Sequence, residues 1–172
     1  DSTVSYIEPK DKDRIKNDLE DFKAVSVRNE HTQEFVKRLT GKSVPIVADP
    51  TVLCDFSKLR SRGRESNEKY IMVYVLGKDI RGTNKRAIEE IKKIYGDMTV
   101  YAAVIPTTNF NVDIGNYADE VFYDLDPIEW IDMFRNATFV YTDSFHGTLF
   151  SLKFHKDRWK YEHLLLQLPS HA

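Results

Sequence analysis

The chain has 172 residues, of which 41% are hydrophobic and 30% are charged, a size and composition typical of one globular domain or parts of two. Its 25 basic and 27 acidic residues nearly cancel, which disfavours a nucleic acid or an anionic membrane surface as partner. Its apolar runs are too short to span a bilayer, and no signal-peptide pattern stands at its start, so neither a transmembrane segment nor a signal peptide is predicted.

The first third of the chain alternates helix and strand patterns, which indicates an α/β fold. The predicted elements are a helix over 11–22, a strand over 24–28, a helix between Asn29 and Gly41, and a strand over 44–47. We interpret residues 1–54 as the C-terminal part of a first α/β half, because the chain begins at Asp1 rather than at a methionine. Cys54, the only cysteine, is predicted to be a small buried hydrophobe in a protein from a reducing compartment.

Residues 55–68 are polar and rich in arginine and serine, and we predict a linker there. A near-continuous apolar run over 70–76 then predicts a parallel strand that is buried on both faces. The order strand, helix, strand, loop, strand, helix, strand, helix follows, which is typical of a Rossmann-like half with a parallel sheet over residues 69–172. The last segment, 158–172, is predicted to form an amphipathic helix that closes at Pro169.

The segment Thr-Asp-Ser-Phe-His-Gly-Thr at 142–148 is predicted to join the end of a strand to the start of a helix. Ligands of α/β proteins bind outside the carboxyl ends of strands, near helix N-termini. His146 is therefore the candidate acid or base, and Gly147 beside it would allow a ligand to approach closely. Asp143, Ser144 and Thr148 are candidate substrate ligands, although capping of the helix explains the first two equally well.

Two further strand ends carry polar candidates in the first third of the chain. Arg28 follows the strand over 24–28 and is predicted to clamp a carboxylate or phosphate, with a local salt bridge to Glu30 as the alternative. Asp49 follows the strand over 44–47 and either binds a hydroxyl-rich ligand or forms an Asp-Pro turn with Pro50.

The loop that follows the strand over 70–76 contains two cations. Lys78 and Arg81 lie between Gly77 and Gly82, a spacing that matches neither a P-loop nor a dinucleotide fingerprint. Lys78 is nonetheless a candidate phosphate ligand. No metal site is predicted, because the C-terminal histidines are eight residues apart and no cysteine or compact carboxylate pattern accompanies them.

Taken in order, the segments at 24–30, 39–41, 47–53 and 142–148 resemble the polysaccharide pyruvyl transferase family. The resemblance extends over about residues 22–154. It implies a GT-B-type fold with two Rossmann-like halves facing a cleft. It also implies transfer of a pyruvate group from phosphoenolpyruvate to a sugar of a cell-surface polysaccharide, with a ketal as product. By this resemblance His146 matches the family histidine and Arg28 matches the arginine of the first half.

The resemblance also implies partners and a place in the cell. The donor would be phosphoenolpyruvate, with no further cofactor and no metal, and the acceptor would be a saccharide that can be lipid-linked. Exopolysaccharide biosynthesis in a bacterium would place the protein in the cytoplasm, including the inner face of the membrane. The sequence leaves a homo-oligomer open.

Two departures from the family pattern keep alternatives open. Some members carry an arginine two residues before the histidine, where Ser144 stands here, so a phosphate ligand is missing or is supplied by Lys78 or Arg81. Most of the first Rossmann-like half is also absent from this chain. The alternatives are a sugar-nucleotide glycosyltransferase of GT-B type and a non-catalytic saccharide-binding or assembly fragment that is inactive alone.

Overall fold

The structure, a computed structural model, describes residues 8–59, 68–77, 79, 81–105, 114–155 and 157–159, without the side chains of Pro9 and of 157–159. The chain divides into two compact units, Asp1–Cys54 and Asp55–Ala172. Candidate site residues occur in both units, so each unit provides one part of the evidence on function.

The first unit contains the two helices predicted from sequence and a third, shorter one. Helix α1 is Lys12–Asp21, α2 is Glu30–Thr40 and α3 is Pro50–Leu53. The side chain of Asn29 caps α2 by accepting a hydrogen bond from the Thr32 N–H at 2.9 Å. Gly41 ends α2 in the left-handed conformation, with φ of 75°, which glycine adopts without steric cost.

The strands predicted over 24–28 and 44–47 are wrong in extent. A single parallel bridge between Val27 and Ile46 is present instead. The Val27 N–H donates to the Pro45 carbonyl at 3.0 Å, and the Val47 N–H donates to the Val27 carbonyl at 2.8 Å. Within the described residues of this unit no third segment pairs with either one, and an isolated pair of strands is marginally stable in water. The carboxyl ends of the two segments nevertheless lie side by side.

The prediction that Cys54 is buried is also wrong, since its side chain is exposed. Cys54 directly follows α3, a single turn in which no residue is buried. Leu53 is 83% exposed and Val52 is 49% exposed, so apolar neighbours in the sequence do not supply a surface that covers the thiol.

The second unit is built on a five-stranded sheet in the order β3-β2-β1-β4-β5. Its strands are β1 Tyr70–Tyr74, β2 Thr99–Ala103, β3 Glu120–Phe122, β4 Phe139–Thr142 and β5 Asp157–Trp159. Every neighbouring pair is parallel, which confirms the predicted α/β class with a parallel sheet. The direction of connection reverses between β1 and β4, and ligands of such sheets bind outside the strand ends at this point.

Helices cover both faces of this sheet. They are α4 Thr83–Tyr95, α5 Pro127–Asn136 and α6 Phe145–Lys153. Ile71 and Val73 of β1 pack with the buried residues of α4, while Tyr70, Met72 and Tyr74 pack with α5 and α6 on the opposite face. The run over 70–76 is apolar because β1 is buried on both sides, as expected of a central parallel strand.

Two segments of the second unit bear on the predicted boundaries. Phe56, inside the segment predicted as a linker, packs its ring edge-on against Phe150 at 5.0 Å, whereas 60–67 lie outside the described residues. The helix predicted from residue 158 is wrong at its start, because Arg158 and Trp159 belong to β5. Pairing with β5 covers the backbone edge of the buried strand β4. The rest of that segment, 160–172, lies outside the described residues.

The structure also bears on membrane association. Among the helices in the described ranges, none is long and apolar enough to cross a bilayer.

Candidate functional site

Asp143 links the ends of β1 and β4 at the point where the sheet order reverses. Its Oδ1 accepts a hydrogen bond from the Leu76 N–H and its Oδ2 accepts one from the Gly77 N–H, both at 2.7 Å. A Cβ on Gly77 would lie 2.7 Å from that Oδ2, so the loop can approach the carboxylate only because Gly77 has no side chain. Asp143 thereby fixes the loop after β1 against the turn that leads into α6.

The residues on either side of Asp143 hold the same turn. The Thr142 hydroxyl donates to the Tyr74 carbonyl at 2.5 Å and accepts from the Ser144 N–H at 3.1 Å. Ser144 is buried and caps α6, since its Oγ accepts from the Gly147 N–H at 3.3 Å. Three consecutive side chains therefore connect β4 to β1, to the loop after β1 and to α6.

Gly147 allows α6 to approach β4. A Cβ at this position would lie 2.3 Å from the Thr142 Oγ1 and 3.1 Å from two of its carbon atoms. The sequence suggested that this glycine makes room for a ligand, but its Cα faces Thr142 and its N–H donates to Ser144. The nearby Thr148 hydroxyl donates to the Ser144 carbonyl at 3.0 Å. The structure thus gives Ser144, Gly147 and Thr148 roles in holding the turn.

His146 is the second residue of α6 and is partly exposed at the carboxyl edge of the sheet. Its ring stands nearly perpendicular to that of Phe145, at 81° with 5.3 Å between ring centroids, and Phe145 is 39% exposed. The positive end of the α6 dipole favours an anion at this position. The turn therefore presents an imidazole where a parallel sheet binds its ligands.

In the first unit the structure brings Arg28 and Asp49 together. The Arg28 guanidinium donates through Nη1 to Oδ2 of Asp49. Asp49 is only 7% exposed and caps α3, with its Oδ1 accepting from the Thr51 N–H at 2.9 Å and from the Thr51 hydroxyl at 2.5 Å. The Arg28 side chain is 29% exposed, so the buried carboxylate fixes a guanidinium that solvent can still reach.

Hydrogen bonding holds the pKa of Asp49 far below its usual range. The two bonds from Thr51 contribute most, and the bond and charge of Arg28 add to them against the opposing effect of burial. Asp49 is therefore a carboxylate at neutral pH, and the plainer expectation of an Asp-Pro turn describes its capping of α3.

We expect Asp49→Asn to lower the free energy of unfolding at pH 7 by about 1–2 kcal/mol, because bonds to a charged acceptor are lost. The depressed folded-state pKa stabilises the fold above the unfolded-state value of about 3.9, and this contribution is lost as the pH falls. Urea unfolding at pH 7, 5 and 3 should show the gap between wild type and variant narrowing at pH 3. The exposed Asp124→Asn serves as the control, and a gap that widens toward pH 3 would contradict this account.

Of the two cations predicted to bind phosphate in the loop after β1, the structure describes only Arg81. Lys78 lies outside the described residues. Arg81 is exposed and adopts a positive φ of 60° just before Gly82 and the start of α4. Across the described segments, no three histidine, cysteine, aspartate or glutamate side chains lie close enough to hold a metal ion.

A comparison against known families gives the relationship of the chain. A sequence model described as polysaccharide pyruvyl transferase matches residues 2–156, most of the chain. The chain belongs to this family. The match spans both units and includes Arg28, Asp49 and the segment 142–148. Comparison with curated proteins and with solved structures gives no significant match.

Sequence reasoning did not single out one residue that lies at the same strand edge as His146. Tyr74, the last residue of β1, pairs in register with Thr142 at the same edge of the sheet. The sequence showed it only as part of the apolar run over 70–76, which indicated burial. Its position at the end of that run is the signal that could have identified it.

Proposed function

We propose that the protein transfers the pyruvate group of phosphoenolpyruvate to a sugar of a cell-surface polysaccharide, forming a ketal. The observation that carries this proposal is the position of His146, at the start of α6 and beside the reversal point of the sheet, in a chain of the pyruvyl transferase family. A GT-B-type arrangement, which the family resemblance implies, remains part of the proposal.

The reaction needs a proton donor and a proton acceptor. Protonation of the methylene carbon of phosphoenolpyruvate makes C2 electrophilic, and a sugar hydroxyl adds to C2 and releases its proton. A second sugar hydroxyl then displaces inorganic phosphate and gives the ketal. Atoms and charges balance without an oxidant or a reductant. We assign His146 to one of these proton transfers, since an imidazole exchanges protons near neutral pH.

The donor carries a carboxylate and a phosphate, so its binding requires positive groups. The start of α6 supplies a dipole that favours an anion. A guanidinium has five N–H donors and can bind a protein carboxylate and an anionic ligand together, which supports Arg28 as a donor ligand positioned by Asp49. Lys78 and Arg81 remain candidates for phosphate binding on sequence grounds.

A transfer assay on the intact protein tests the proposal. With phosphoenolpyruvate and a saccharide acceptor, we expect inorganic phosphate and an acid-labile pyruvylated sugar in equal amounts. Thermal-shift measurements compare how much phosphoenolpyruvate and nucleotide sugars each raise the melting temperature of the protein. Stabilisation by a nucleotide sugar alone would contradict the proposal and favour a glycosyltransferase. Saccharide binding without any transfer would favour the non-catalytic alternative.

For Arg28→Lys we expect the KM for phosphoenolpyruvate to rise about 10-fold with a smaller change in kcat. Lysine keeps the positive charge but loses the planar fork that binds two oxygens at once. Steady-state kinetics with varied phosphoenolpyruvate measure the effect, and the exposed Arg38→Lys on α2 is the matched control. An unchanged KM in the Arg28 variant would remove Arg28 from the donor site.

The place of the reaction follows from its substrates. Phosphoenolpyruvate is made in the cytoplasm, so we place the protein there, including the inner face of the membrane where a lipid-linked acceptor would be met.

A further inference from the structure

Tyr74 lies where a ligand of the second unit would be bound. It ends β1 and pairs in register with Thr142, the last residue of β4. Its ring stands edge-on to Trp130 at 5.1 Å and to Phe134 at 6.1 Å, both in α5. Tyr74 therefore lies on the face of the sheet that α5 and α6 cover, and at the same edge as His146.

The other tyrosines in the central strands use their hydroxyls inside the protein. Tyr70 donates to the Met133 carbonyl at 2.7 Å, Tyr141 donates to Oδ1 of Asn84 at 2.8 Å, and Tyr101 donates to Glu68 at 2.9 Å. For Tyr74, the described part of the chain offers no hydrogen-bond partner to the hydroxyl. The ring is thus held by packing, and the residue as a whole is only partly buried.

The Tyr74 phenol is suited to hydrogen bonding with a neutral, hydroxyl-bearing ligand. Burial, and then the negative charge of Asp143, raise the pKa of Tyr74, so its phenol keeps its proton well above neutral pH. A protonated phenol both donates to and accepts from a neutral hydroxyl. Aromatic and hydroxyl groups together are suited to a sugar, which presents an apolar face and many hydroxyls.

We propose that the Tyr74 hydroxyl contacts the saccharide acceptor and orients one of its hydroxyls at the edge that carries His146. This proposal rests on the proposed pyruvyl transfer for the identity of the ligand as an acceptor. The hydrogen bond contributes to acceptor binding and leaves donor binding unchanged.

Tyr74→Phe removes only the hydroxyl and keeps the ring between α5 and the sheet. Loss of one hydrogen bond between neutral groups should raise the KM for the acceptor about 3- to 10-fold, with the KM for phosphoenolpyruvate and the melting temperature unchanged. Tyr101→Phe is the matched control, because Tyr101 lies on the neighbouring strand β2 and its hydroxyl already bonds to Glu68. It should leave both KM values unchanged.

A binding measurement separates this proposal from the transfer reaction itself. The intact protein is titrated with methyl hexopyranosides of the gluco, galacto and manno series and their N-acetyl forms, without donor. We expect at least one glycoside to bind, and Tyr74→Phe to bind it about 3- to 10-fold more weakly. Equal binding by both proteins, or no glycoside bound by the wild type, would overturn the assignment of Tyr74. Failure of transfer with this binding difference intact would count against the proposed function alone.

Discussion

Replacing His146 with alanine is expected to lower kcat for pyruvyl transfer by about 10²- to 10⁴-fold, the usual contribution of a positioned acid or base. The fold should survive, because His146 is partly exposed at the start of α6 and the turn is held by Asp143, Ser144 and Thr148. Steady-state kinetics measure the loss, and the melting temperature of the same sample shows whether the fold is retained.

His31→Ala is the matched control for His146. His31 is an exposed histidine in the first turn of α2, and its replacement should leave kcat near the wild-type value. Ketal formation at the wild-type rate by His146→Ala would remove the histidine from the mechanism.

The second large effect is expected from Gly147→Ala, which should lower the free energy of unfolding by about 3 kcal/mol. The added Cβ would lie 2.3 Å from the Thr142 Oγ1, and Thr142 is itself bonded to the Tyr74 carbonyl and the Ser144 N–H. The clash between the added Cβ and Thr142 can be relieved only if α6 moves away from β4. This movement would displace His146 as well. We expect a melting temperature lower by about 5–10 °C, with a loss of activity.

Gly115→Ala provides a matched control for this steric effect, because no atom lies within 4 Å of a Cβ at Gly115. That variant should be near wild type in stability and activity. Thr142→Ala removes both the Oγ1 and the methyl that the added Cβ would meet, so the double variant with Gly147→Ala should be less destabilised than the sum of the two single variants. A Gly147→Ala protein as stable as the wild type would show that α6 does not approach β4 as closely as described here.

The sequence predicted elements well where the deciding contacts are local. Asp126 accepts from the Ile128 and Glu129 N–H groups at 2.7 and 2.8 Å, and its own N–H donates to Glu129 at 3.0 Å. This capping box involves residues no more than three positions apart, so the sequence alone can indicate it. The buried strand β1 was likewise predicted from a continuous apolar run.

The sequence predicted poorly where the outcome depends on distant partners. Spacing cannot show that Asp143 accepts hydrogen bonds from residues 66 and 67 positions earlier, so its role in joining two strand ends was not foreseen. The same limitation applies to Gly147, whose contact with Thr142 depends on how α6 leaves the sheet. Val27 and Ile46 form one bridge rather than strands because no third segment in the described part of their unit extends the pairing.

The site residues therefore fall into two groups, those that hold the local structure and those that we propose to contact substrates. Asp143, Ser144 and Gly147 hold the turn through hydrogen bonds and close packing, and Asp49 holds Arg28. His146 and Tyr74 are the groups that we propose to face substrates in the second unit. Substitutions in the first set should change stability together with activity, whereas His146→Ala and Tyr74→Phe should change activity alone.

We propose that phosphoenolpyruvate binds at the carboxyl edge of β1 and β4. Backbone amide chemical shifts test this proposed binding site most directly. Phosphoenolpyruvate is titrated into isotope-labelled protein, and the backbone amide shifts are followed by NMR. We predict saturable shifts at 76–77 and 143–148, at the loop after β1 and the start of α6. Shifts confined to other surfaces, such as the groove beside α4 lined by Lys85, Glu89 and Lys92, would contradict it, as would no shift at all.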